Sequence, residues 1–384
     1  MKVCLLNDSF PPVIDGVANA VLNYARHLHE LGDEVIVATP RYPDVDYSIY
    51  PFKVLAYQSF NTSSLVNGYR AGNIYTPELF ELVTFKPDII HAHAPFSSLL
   101  IGKHLRFFTK APLVFTYHTK FDIDISRAIK FETLKKDVIK YMANFISTSD
   151  EIWAVSKGAG ENLKSLGCKK DYVVMNNGVD IEKGKASNEL ILEATSKYDL
   201  PDNVPVYLFV GRIFEYKGLS IILDALNKIN EAKQDFRMVF VGDGPDLEKI
   251  KEKINNYNLQ DKVFCTGKIL DREHLKAWYT RADLFLFPST YDTNGIVVGE
   301  AAACATPSVL IEGSCAAETA TDLRNAFLIK ENSDSLLSLL SKLGNDLDYM
   351  HKCGLNAQDE IYISWDDAVD KARERYEYIL NNHV

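Results

Sequence analysis

Two carboxylates, Asp292 and Glu300, stand with seven residues between them in PSTYDTNGIVVGEAAACATP, residues 288–307, and Asn294, Gly295 and Ile296 lie in the gap. Asn294, Gly295 and Ile296 would open a helix whose first N–H groups are unpaired, and such a terminus attracts anions. One acid before that helix and one a turn inside it can accept hydrogen bonds from hydroxyls of a single ligand. Taken alone, the stretch is equally a strand, a turn and a helix with solvated acids. Other strand ends add to it. VYLFVGR runs into GRIFEYKG, residues 211–218, which sets Arg212 and Lys217 one short loop apart at the start of a helix. Arg grips phosphate through two parallel hydrogen bonds and Lys acts as a compact point charge, so together they suit a diphosphate. FVGDGP is a tight turn before a helix, most simply a structural cap. VFCTGKI ends in Gly267, Lys268 and Ile269, whose exposed backbone groups could bond a flat base. The set suits a nucleoside diphosphate bearing a sugar: acids for sugar and ribose hydroxyls, amides and cations for phosphates.

These residues need rigid strand ends to hold them. Short β-branched runs alternate with helix-length amphipathic segments along the whole chain, the rhythm of parallel sheets covered on both faces. KVCLLN, EVIVATP, DIIHAHA, PLVFTYH, EIWAVS and YVVMNN form a first series; VYLFVGR, RMVFVGDG, KVFCTG, LFLFPS and PSVLIEG form a second. A polar, Pro-containing segment near residues 180–204 separates them. The expected architecture is α/β with two doubly wound, Rossmann-like domains. Residues 1–190 form the first and 191–360 the second, and an amphipathic helix in 361–384 packs back onto the first. Ligands of such sheets sit beyond the carboxyl ends of the strands, here in a cleft between facing domains.

Bulk properties narrow the partners. At 384 residues the chain exceeds one ordinary core. Its 47% hydrophobic and 24% charged content is that of a soluble globular protein. A net charge of −10 argues against nucleic acid, which needs a basic footprint. Six cysteines with no Cys-x-x-Cys pair fit a reducing cytosol. No run nears the ~18 apolar residues of a membrane span, so the expected location is cytoplasmic, with any membrane contact peripheral.

Read in order, FPPVIDGVANAV, DIIHAHAPF, FTYHTKF, WAVSKG, NNGVD, FVGRIFEYKG, FVGDGP, FCTGKI and FPSTYDTNGIVVGEAAACATPSV cover nearly the whole chain. In this register the sequence resembles the retaining GT-B glycosyltransferases of the large family that includes sucrose synthase and bacterial glycolipid glucosyltransferases. The resemblance implies the GT-B fold and a nucleotide-sugar donor, UDP-glucose by default. It places Asp292 on the transferred sugar, Glu300 on the ribose, and Arg212 and Lys217 on the diphosphate. Gly16 falls close to donor and acceptor, His118 faces the reacting sugar, and His93 borders the acceptor pocket. No metal ligand and no cofactor are implied. Three residues depart from the family pattern: Asp292 replaces the usual Glu, and Ala305 and Ala326 stand where glycine is usual. Glycine at such places often serves positive φ or close approach.

His91 and His93 alternate in a strand and can share a face, but no third ligand completes a metal site. Arg127, Lys130, Lys135, Lys136 and Lys140 interleave with Ile129, Phe131, Leu134, Val138, Ile139, Tyr141 and Phe145 at helical spacing. That is either a membrane-surface helix or a helix with its apolar stripe in the core. By resemblance its position is where glycolipid-making members meet the membrane. The expected function is therefore transfer of a hexose to an acceptor hydroxyl, of a lipid such as diacylglycerol. A polysaccharide or other soluble glycan is the alternative acceptor. A non-catalytic nucleotide-sugar-binding module and a GT-B epimerase are the other readings. A pyridoxal phosphorylase would need a cofactor lysine, and hydride transfer lacks a Gly-x-Gly-x-x-Gly turn after any strand.

Overall fold

The computed structural model describes residues 1–13, 15–61, 70–122, 125 and 131–382. The chain divides into two compact units, Met1–Gly178 with Trp365–Val384, and Val179–Ser364. In the first, seven parallel strands run in the order β3, β2, β1, β6, β7, β8, β9. They are Lys2–Leu6 (β1), Glu34–Pro40 (β2), Lys53–Tyr57 (β3), Ile89–Ala92 (β6), Leu113–Tyr117 (β7), Glu151–Ala154 (β8) and Val173–Val174 (β9). Ser59–Asn61 (β4) and Arg70–Gly72 (β5) form a separate antiparallel pair. In the second unit, Val206–Val210 (β10), Arg237–Val241 (β11), Val263–Gly267 (β12), Leu284–Phe287 (β13), Ser308–Ile311 (β14) and Ala326–Ile329 (β15) run in the order β12, β11, β10, β13, β14, β15.

Apolar continuity along the strands follows from their surroundings. Every residue of β7, β10, β11, β13 and β14 is buried, because helices cover both faces of a parallel sheet. Strand order reverses at β1, which lies between β2 and β6, and again at β10, between β11 and β13. At such switch points the loops leaving neighbouring strands diverge and open a crevice for a ligand. The Arg212 and Asp292 loops leave β10 and β13; Gly16 and His93 follow β1 and β6.

Residues 179–190, expected in the first domain, belong to the second unit. The Val179 N–H donates to the Ile363 carbonyl at 3.1 Å, and the Gly184 N–H to Ala303 at 2.9 Å. The segment read as a linker holds a helix, Asn188–Thr195, capped by the Ser187 hydroxyl. The closing helix, Trp365–Asn382, is part of the first unit. Arg375 binds both oxygens of Glu151 at 2.9 and 2.7 Å, and Arg373 Nε reaches Asp33 at 2.9 Å. A forked pair of this kind fixes orientation as well as distance.

Of the departures from the family pattern, Ala305 carries strain and Ala326 does not. Ala305 has φ 59° just past the helix Ile296–Ala303, the left-handed cap position that glycine occupies without a Cβ penalty. Ala326 opens β15, is fully buried, and is absent from the positive-φ residues. Ala305→Gly is therefore expected to raise stability by about 0.5–1 kcal/mol, the relief of strain exceeding the entropy of glycine. Differential scanning calorimetry should show a midpoint higher by roughly 1–3 °C, and a lower midpoint would contradict it.

Candidate active site

Three loops at the switch point of the second sheet are packed so closely that glycine is obligatory between them. A Cβ on Gly218, which has φ 77°, would lie 2.2 Å from the Pro288 carbonyl oxygen, and one on Gly242 would lie 1.9 Å from that of Gly211. The loops after β10, β11 and β13 thus touch through backbone. Lys217, in the turn Glu215–Lys217, is thereby set against Asp292, and its Nζ donates to Oδ1 and Oδ2 at 2.9 and 3.1 Å. The Ser289 hydroxyl donates to Asp292 Oδ2 at 2.6 Å. Both charged side chains are largely covered, at 12% and 25% exposure, so neither can turn freely to solvent.

Arg212, earlier in the loop that carries Lys217, is on the surface, its guanidinium 4.9 Å from the Phe214 ring centroid. Phe214 stacks on Tyr216 at 4.9 Å, and Tyr216 meets Tyr291 at 4.5 Å. This aromatic file links the β10 and β13 loops and leaves Arg212 without an ion pair among the described residues. Gly295, at φ 62°, precedes the helix Ile296–Ala303, so Asn294, Gly295 and Ile296 do form a helix start. At the end of β12, the Gly267 carbonyl accepts from the Gly242 N–H at 2.9 Å and is already engaged. Ile269 is half-buried against the core.

Glu300 differs from Asp292 in surroundings. It is 3% exposed, accepts from Arg272 at 3.1 Å on Oε1 and from the Tyr279 hydroxyl at 2.9 Å on Oε2. Arg272 also pairs with Asp180. Burial pushes the Glu300 carboxyl above its ordinary range, against the opposing pull of Arg272. The two acids that the sequence places together are thus each held by a cation, Asp292 by Lys217 and Glu300 by Arg272.

In the first unit, the carboxyl ends of β6 and β7 carry a file of imidazoles. His91 and His93 share a face, with ring centroids 3.9 Å apart, and His93 Nδ1 lies 2.9 Å from His118 Nε2. His91 Nδ1 meets the Tyr376 hydroxyl at 2.5 Å and its Nε2 meets Thr116 at 2.6 Å. Among the described residues no three His, Cys, Asp or Glu side chains gather into a metal site. Gly16 is the first residue of Gly16–Glu30, whose Asp15 cap accepts from the Val17 and Ala18 N–H groups at 2.8 Å. Gly16 itself is exposed, beside N–H groups that Asp15 already occupies.

Burial pushes the His118 imidazole down to about 3 and lowers His91 and His93 as well. The unfolded side chain titrates near about 6.5, so below that pH the unfolded chain binds more protons and stability falls, continuing to fall toward about 3. At pH 5 His118 alone is expected to cost about 2 kcal/mol. Thermal unfolding should show a midpoint that drops from pH 7 to pH 5, less steeply in His118→Asn. Equal slopes in the two proteins would contradict the account.

The helix Glu132–Ile146 buries only Met142, Ala143 and Ile146. Phe131, Leu134 and Tyr141 are exposed at 75%, 52% and 65%, beside exposed Lys136 and Lys140. Lys135 is paired with Glu132 at 3.0 Å. Arg127, Ile129 and Lys130 lie outside the described residues. No helix among the described residues is long and apolar enough to cross a membrane.

Sequence reasoning passed over Asp180, Arg272 and Tyr279. Their available signal was spacing: Arg272 and Tyr279 are seven residues apart, hence on one face of the helix Arg272–Arg281.

The two halves of the chain each match a family: "Glycosyltransferase Family 4" over residues 14–183 and "Glycosyl transferases group 1" over residues 192–360. The alpha-monoglucosyldiacylglycerol synthase of Streptococcus pneumoniae is 26% identical over 317 residues, covering 80% of this chain and 70% of that protein. A sulfoquinovosyl transferase of Arabidopsis thaliana is 31% identical over 308 residues, 77% of this chain. The chain spans little over half, 56%, of that relative's length. Among solved structures, Anabaena HepE in complex with UDP has a TM-score of 0.78 at 20% identity, over 98% of this chain and 100% of that one, which is a likeness of fold. With both halves matched and two Rossmann-like sheets observed, the chain belongs to the GT-B glycosyltransferases.

Proposed function

We propose that this glycosyltransferase moves a hexose, by default glucose, from a nucleoside diphosphate, by default UDP, to a lipid hydroxyl such as that of diacylglycerol, with retention and without metal or cofactor. The observation that carries the donor reading is the Lys217–Asp292 contact at 2.9 Å beside Arg212 and the helix start at Ile296. These groups form a cationic grip on a diphosphate next to an acid for sugar hydroxyls. Donor arrival exchanges one anion for another at Lys217, so the ammonium stays paired while Asp292 turns to the sugar. Glu300 accepts from the ribose. His118 and Gly16 serve the reacting sugar, and His93 the acceptor.

In the step itself the acceptor oxygen bonds to the anomeric carbon as the bond to the β-phosphate oxygen breaks on the same face. The acceptor's proton passes to the leaving phosphate. Charge grows on that phosphate, where Arg212, Lys217 and the amides near Gly295 stabilise it, a role that elsewhere falls to a metal ion.

The lipid acceptor is supported by what the Streptococcus relative is called, and UDP by the complex of the Anabaena protein. Exposed Phe131, Leu134 and Tyr141 close in sequence to exposed Lys136 and Lys140 suit an anionic bilayer surface. The helices Glu78–Phe85 and Ser97–Thr109 also flank an apolar cavity of about 500 Å³ lined by Leu79, Phe80, Ile101, Leu105 and Phe108. Nucleotide release from a panel of nucleotide sugars, with and without vesicles holding diacylglycerol, tests the reading. Release from UDP-glucose that rises on adding the lipid is expected. Release that ignores the lipid and rises with a soluble glycan would overturn the acceptor.

A further inference from the structure

We infer that Arg272, anchored on Asp180, is a positioning residue that presents the Glu300 carboxylate to the ribose hydroxyls of the donor. The inference rests on the ribose role proposed for Glu300. Arg272 donates to Glu300 Oε1 at 3.1 Å while its other terminal nitrogen pairs with Asp180, and Tyr279 donates to Oε2 at 2.9 Å. Arg272 and Tyr279 project from one face of the helix Arg272–Arg281, whose start is fixed by the Asp271 side chain accepting from the His274 N–H at 2.8 Å. The backbone next to Asp180 is fixed by the Val179 N–H, which donates to the Ile363 carbonyl at 3.1 Å.

The arrangement fits a diol. Each carboxylate oxygen has two acceptor directions; one on each is taken, by Arg272 and by Tyr279, and one on each remains. Two remaining directions, one on each oxygen, equal in number the donors of two neighbouring hydroxyls, as on ribose. The arrangement also fits an ionised acid. Glu300 is 3% exposed, and burial favours its protonated form, which would lose acceptor capacity. The groups facing it are Arg272, Tyr279 and Asp180, with the Cys304 thiol close by. Arg272 is the one cation among them, and a guanidinium does not lose its proton. Asp180 holds that cation in place, so its direction toward Glu300 is set before the nucleotide arrives.

Calorimetry with UDP and with its dideoxyribose analogue, on wild type, Arg272→Gln, Arg272→Lys, Tyr279→Phe and Glu300→Gln, tests this, with thermal unfolding to confirm folding. Glu300→Gln and Arg272→Gln should each weaken UDP about 10-fold or more while hardly changing affinity for the analogue. Arg272→Lys should recover part of the loss, and Tyr279→Phe should show a smaller loss confined to UDP. In Arg272→Gln the fall of UDP affinity on acidification should begin at higher pH than in wild type. Equal weakening of UDP and analogue by Arg272→Gln would overturn the inference, as would unchanged UDP affinity in Arg272→Gln when Glu300→Gln weakens it. Unchanged UDP affinity in Glu300→Gln would instead remove the ribose reading on which the inference stands.

Discussion

Arg212→Ala and Lys217→Ala are each expected to lower turnover by at least ~10²-fold, because a donor aimed at developing charge in a preorganised site is typically worth a few kcal/mol. The two losses differ in character. Arg212 is exposed and unpaired among the described residues, so its removal takes away a phosphate contact and little else. Lys217 neutralises Asp292 at 2.9 Å, so its removal also leaves that carboxylate facing the incoming phosphates. Like charges in a partly dry site repel strongly, and Lys217→Ala should therefore weaken donor binding as well as turnover. Steady-state kcat and KM for both variants check this. Wild-type values in both folded variants would dispose of the diphosphate grip.

Asp292→Asn is expected to impair sugar transfer severely while leaving the affinity for UDP unchanged or higher, whereas Glu300→Gln should weaken UDP and the intact sugar nucleotide alike. A carboxylate lost opposite a hydroxyl removes a charge-assisted hydrogen bond, about 1.5–3 kcal/mol, only from ligands that carry that hydroxyl. Any gain in UDP affinity comes from Lys217, which Asp292 holds through both oxygens and an amide would release. Asp292→Glu restores the longer side chain usual in the family and serves as the control for reach. Calorimetry with UDP and with UDP-glucose separates the cases. Equal weakening of UDP by Asp292→Asn and Glu300→Gln would show that the two acids do not divide the ligand between them.

The strands that could be read from sequence were those with continuous apolar runs, such as VYLFV and LFLF, because a central parallel strand is dry on both faces. KVLAY, at β3, edges its sheet with only two of its five residues buried, and its pattern was too mixed to stand out. AFLI, at β15, is four residues long and follows polar loop residues. YVVMNN was legible as extended chain, yet only Val173 and Val174 pair, at the sheet's far edge. The helix inside the segment near residues 180–204 was not legible, because it is a short surface helix with one buried residue, Thr195.

Candidate residues were legible as types at strand ends, since the switch-point rule says where such ends meet. Their partners were not. Lys217 and Asp292 are 75 residues apart and touch only because β10 and β13 are neighbours in the sheet. Arg272 reaches Glu300 through a helix that reads as an ordinary amphipathic one. The positive φ of Ala305 was foreshadowed by the glycine usual there, while Ala326, equally unusual in pattern, needs no such conformation.

The most direct measurement is the anomeric configuration of the product formed from UDP-glucose labelled at its anomeric carbon, with diacylglycerol in anionic vesicles and EDTA in excess. The account predicts an α-glucosyl lipid, read by NMR, because the donor is α-linked, substitution occurs on its own face, and Arg212 and Lys217 supply the positive charge. A β-linked product, or transfer that begins only when Mg²⁺ or Mn²⁺ is added, would contradict it.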